Sequence, residues 1–70
     1  MNVFVGTAEG AAEGDYVVTP AGDLVEIARI ENGEPCSIGE VPASAIDLDD
    51  RVRLLTAVRG VETAANTRGG

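Results

Sequence analysis

The residues of this 70-residue chain nearest to chemistry are three groups of carboxylates and one thiol. Glu9, Glu13 and Asp15 form one group, Glu31 and Glu34 a second, and Asp47, Asp49 and Asp50 a third. Asp47, Asp49 and Asp50 are of a type that can ligate a hard cation such as calcium, and a pair of carboxylates can serve as acid and base on two sides of a glycosidic bond. The third group lacks the glycine and the closing glutamate of a helix-loop-helix calcium loop, so it reads as a solvated acidic turn. A glycosidase pair needs a deep cleft, which so small a chain seldom builds. Cys36 has no basic neighbour in sequence to stabilise a thiolate, and Glu34 disfavours one. It reads as a small, half-buried strand residue.

The missing residue types exclude more. There is no His and no Lys. That removes Ser-His and Cys-His nucleophiles, Schiff-base chemistry and the lysine of a phosphate loop. With a single Cys and no His, neither an intramolecular disulfide nor a structural zinc site is available. The expectation is a chain that is not an enzyme and that carries no metal and no cofactor.

Twelve carboxylates face five arginines, a net charge of −7. Such a surface repels phosphate backbones and anionic bilayers, so neither nucleic acid nor membrane is expected as a partner. No run approaches the ~20 apolar residues that span a bilayer. Residues 1–7 lack the basic start and apolar run of a signal peptide, which predicts an intracellular or virion location.

These residues need a frame to hold them. The hydrophobic fraction is 44%, but the aromatics are only Phe4 and Tyr16, so aliphatic side chains must fill the core. Domains this small often add a staple, and none is available here. Rigidity is therefore expected from neighbours, through a protein partner or self-association.

Asn2-Val3-Phe4-Val5 is β-prone and predicts a strand over 2–7. Residues 8–14 are small and polar and read as a connector, so 1–14 is expected to be a strand followed by a flexible arm. Residues 15–58 are expected to form the core. Asp15–Thr19 predicts a strand, Pro20–Asp23 a turn, and 24–30 a strand hairpinned with 15–19, although Ala21, Leu24, Val25 and Ala28 also fit helical spacing. Asn32-Gly33 between β-prone runs predicts a tight type I′ turn. A further arm follows near 36–41, with Pro35 at its start, and then a single helical turn near 43–46. Residues 51–58 suit a strand, with Val52, Leu54 and Val58 on one face, or a helix capped by Asp47 or Asp49 and ended by Gly60. The strand is preferred. Residues 59–70 are expected to be a tail.

The run Gly14-Asp15-Tyr16-Val17-Val18-Thr19-Pro20-Ala21-Gly22-Asp23-Leu24-Val25-Glu26-Ile27, followed by Val41-Pro42-Ala43-Ser44-Ala45-Ile46, resembles small SH3-like barrels. That resemblance implies a mainly β fold of about five short strands and little about function. The two ends, Met1-Asn2-Val3-Phe4-Val5 and Arg68-Gly69-Gly70, are similar to ubiquitin-like and sulfur-carrier proteins of the β-grasp fold. This alternative implies conjugation or thiolation at the Gly69-Gly70 terminus.

The expected role is a non-catalytic structural module docking on a larger assembly, such as a minor or decorating protein of a viral capsid or tail. The residues expected at its interface are Val3, Phe4, Val5, Tyr16 and Val61. The alternatives are a modifier or carrier acting through Gly70, and an acidic inhibitor of a basic partner.

Overall fold

The computed structural model describes the backbone of residues 2–69 and the side-chain surroundings of residues 2–65. The fold is mainly β: one mixed sheet of four strands, in the order β1-β2-β3-β4, with one helix packed on it. The strands are β1 (Val3–Val5), β2 (Tyr16–Ala21), β3 (Leu24–Glu31) and β4 (Glu34–Pro42). A short 3-10 turn, Ala43–Ala45, precedes helix α1 (Arg51–Gly69).

The β2-β3-β4 meander follows from its turns. Asn32 and Gly33 have φ of 56° and 79°, the pair of positive angles that a type I′ turn needs. This two-residue turn lets Glu31 face Glu34 at once, so β4 begins two residues before the expected arm at 36–41. β2 runs on through Pro20 to Ala21, and its turn narrows to Gly22-Asp23. Pro20 is tolerated because β1 pairs only with Tyr16–Val18, which leaves the other edge of β2 open beyond them.

β1 lies parallel to β2, so the chain must cross a sheet face between them. Residues 6–15 make that crossing. They are tied down rather than loose: Ala11 N–H bonds Ala8 C=O, Asp15 N–H bonds Ala12 C=O, and Gly14 N–H bonds Ile30 C=O, each at 3.0 Å.

The barrel is not closed. The run 51–58, expected as a fifth strand, opens α1 instead. The Asp50 carboxylate accepts the N–H groups of Val52 at 3.1 Å and Arg53 at 3.2 Å, and Leu54 N–H closes the first turn onto Asp50 C=O. Capping of this kind satisfies donors that a helix start otherwise leaves free. The helix also passes through Gly60, where an end was expected, and carries residues 59–69 that were expected as a tail. Leu54, Val58 and Val61 recur at helical spacing and face the sheet, which outweighs the ~1 kcal/mol cost of a helical glycine. No helix separates β2 from β3, so the order of elements also departs from a β-grasp fold.

The sheet has two unlike faces. Val3, Tyr16, Val18, Val25 and Ile27 join Leu54 and Val58 in the main core under α1. On the opposite face Phe4, Val17, Ala28 and Ile30 line up, and the last three are buried. The crossing segment passes over them: a Cβ on Gly10 would stand 3.8 Å from the Phe4 ring.

Candidate interaction surfaces

The three carboxylate groups resolve mainly into structural roles. Asp15 is buried, and its two oxygens accept Asn2 N–H at 3.0 Å and Ala12 N–H at 2.9 Å. Glu13 accepts Asn32 N–H at 2.9 Å and Gly33 N–H at 3.2 Å, clamping the crossing segment to the β3-β4 turn. Those backbone donors favour the ionised form and hold both carboxyls below their ordinary values. Asp47 accepts Asp49 N–H at 3.0 Å, and Asp50 caps α1 and lies 3.7 Å from Arg53 Nε. Glu31 lies 4.0 Å from Arg29. Cys36 is half-buried, with its thiol 3.7 Å from Glu34 C=O.

What remains for function is surface. Asn2 C=O accepts Tyr16 N–H at 2.9 Å, and Gly6 N–H donates to Val18 C=O at 2.8 Å. Backbone groups alternate in direction along a strand, so Phe4 also faces β2 while Val3 and Val5 turn their groups outward. Arg51 Nη1 donates to the outward Val3 C=O at 2.8 Å. The outward groups of Val5 meet no other element among the described residues. Beside this edge, Val3, Arg51, Val52 and Leu55 line a shallow cleft of about 170 Å³.

The expected interface residues divide. Val5 is 42% exposed at the β1 edge. Val3 and Tyr16 are buried in the main core, and Tyr16 retains only 3% exposure. Phe4 is half-buried on the opposite face, and half-buried Val61 packs against Gly39 of β4. Gly70 and the surroundings of Gly69 lie outside the described residues. Sequence reasoning missed Val52, which is 75% exposed although the strand reading set it on one face with Leu54 and Val58. It also missed Arg51, whose contact with Val3 spans 48 positions and leaves no local signal.

Among the described residues, no helix is long and apolar enough to cross a membrane. The fold and these surfaces define a class, a small mixed sheet carrying one C-terminal helix. No family model matches the chain, and neither a curated protein nor a solved structure matches it.

Proposed function

We propose that this chain is a non-catalytic structural module that docks on a larger assembly through the β1 side of its sheet. A minor or decorating protein of a viral capsid or tail is the concrete form of that role. The observation that carries the reading is the outer edge of β1, where the Val5 backbone groups meet no partner among the described residues and its side chain is exposed. An extended segment of a partner can add there as a further strand, with main-chain bonds giving affinity and the Val3-Val52-Leu55 cleft taking a side chain. The lack of His and Lys, and the use of Glu13, Asp15 and Asp50 to hold backbone, support a role without catalysis.

The test is Val5→Lys, which places a charge on the edge without touching the core. Circular dichroism is expected to stay unchanged, while the mass of the complex in solution falls to that of the free chain. A complex that survives Val5→Lys, with the Val5 amide exchanging freely inside it, removes the basis of the reading.

A further inference from the structure

The charges of this chain are segregated along it. Residues 1–50 hold eleven carboxylates against Arg29, a net charge of −10. Residues 51–69 hold four arginines against Glu62, a net charge of +3. Part of this division falls on two sides of the sheet: α1 covers one face, the crossing segment covers the Phe4 end of the other, and Glu26 and Glu40 lie on the half that stays open.

The open half-face is built in two rows. Ala21, Leu24 and Pro42 are in register across β2, β3 and β4, and all three are exposed, Leu24 by 40%. The next row is Thr19, Glu26 and Glu40, also exposed. Glu26 and Glu40 are direct cross-strand partners, an arrangement that costs stability unless a cation lies between them. Neither makes an ion pair among the described residues.

The outer side of α1 is complementary. Val52, Thr56, Arg59 and Thr63 fall on one stripe of the helix, opposite Leu54, Val58 and Val61, and all four are exposed. Arg53 is paired with Asp50 and Arg51 bonds Val3 C=O, whereas Arg59 makes no ion pair among the described residues. Val52 and Arg59 stand about 10 Å apart along the helix. The apolar and acidic rows are about 7 Å apart along the strands, a mismatch within the reach of an arginine side chain.

The geometry points to a second copy of this chain as the occupant of the open sheet face, with Val52 of one copy over the Leu24 row and Arg59 between Glu26 and Glu40. This inference rests on the docking reading above and names the partner on the open sheet face, away from the β1 edge, with Val52 the residue that the helix stripe shares with the cleft beside β1. The contact is head-to-tail, since the helix stripe and the sheet face are different patches. It therefore propagates into a ring or a filament rather than stopping at a two-fold dimer. One interaction relieves the Glu26-Glu40 repulsion and covers both Leu24 and Val52.

The experiment is sedimentation of the whole chain over rising concentration, in low salt of about 50 mM and again near 500 mM, where screening shortens the range of charge. Mass is expected to grow with concentration in low salt and to shrink in high salt. R59E alone, and E26R/E40R alone, are expected to weaken assembly by roughly ten-fold or more, because each sets like charges against each other. An equal mixture of the two variants restores opposite charges at each contact, and growth returns. Circular dichroism confirms that these exposed sites leave the fold intact. A wild-type chain that stays monomeric throughout in low salt overturns the inference, as does assembly indifferent to both charge reversals. Assembly lost in Val5→Lys but retained in R59E and in E26R/E40R assigns association to the β1 edge, which overturns this inference and leaves the docking reading standing.

Discussion

The two edges of the sheet are protected in different ways. β4 is long, from Glu34 to Pro42, and it is blunted by its own sequence. Pro35 and Pro42 remove N–H donors, Glu34 and Glu40 add charge, and the register shifts between Ile27 and Ala28 where the strand carries an extra residue. α1 also packs against it, with Val61 over Gly39. β1 has three residues, no proline and no charge of its own. It has its shortness and a single distant cation, Arg51, on one carbonyl. An edge guarded along its length is a finished boundary. One guarded by a single side chain is the edge that the docking proposal assigns to a further strand.

The cover over β4 depends first on the helix. Leu54 is fully buried between α1 and the sheet. Leu54→Ala is expected to cost about 2–5 kcal/mol, read as a lower urea midpoint, and to loosen the cover over β4 more than the contact at β1. Hydrogen exchange along both strands checks the second part.

Gly39→Ala tests the β4 cover directly. A Cβ there would stand 2.8 Å from Val61 Cγ1, and φ is 156°. The expected loss is about 1–3 kcal/mol, and adding Val61→Ala is expected to recover part of it. Full additivity of the two losses would show that Val61 does not touch this position.

The crossing segment, which ties the start of β1 to the sheet, is predicted to be acid-sensitive. Asp15 and Glu13 have lowered carboxyl values in the folded state because backbone N–H groups bind their ionised forms. The unfolded chain therefore takes up protons at higher pH than the folded one. Their stabilisation is complete well above pH ~4 and is lost as pH falls through the folded values. Asp15→Asn is expected to lower stability near neutrality and to flatten the decline below pH ~4. A decline as steep as the wild type's would show that Asp15 is not one of the groups responsible.

Arg51→Gln removes the guard of Val3 C=O, at a stability cost of about 1 kcal/mol, and is expected to increase association through β1. The smallest effect is on the open face. Glu40→Gln relieves the pairing with Glu26 and is expected to gain a few tenths of a kcal/mol in low salt, with the gain fading as salt rises.

The hairpins were legible because their causes are local. Asn32-Gly33 sets its own turn, and the β-branched run 24–30 chose strand over helix with that turn beside it. The roles of Asp15 and Glu13 were not legible, since their donors lie up to 20 positions away. Val52 was misplaced because its neighbours decide which helix face is covered. Leu54, Val58 and Val61 find a sheet to pack on, and Val52 is turned outward with the opposite stripe.

The amino-acid order alone determined the meander, the exclusion of His- and Lys-dependent chemistry, and the division between an acidic first part and an arginine-bearing last part. Turn dihedrals, side-chain types and charge are properties of residues and close neighbours. Only the tertiary structure decided that 51–69 is a helix rather than a fifth strand and a tail, that β1 runs parallel to β2, and which surfaces stay open. Those outcomes depend on burial between segments far apart in the chain, where no single residue carries the preference.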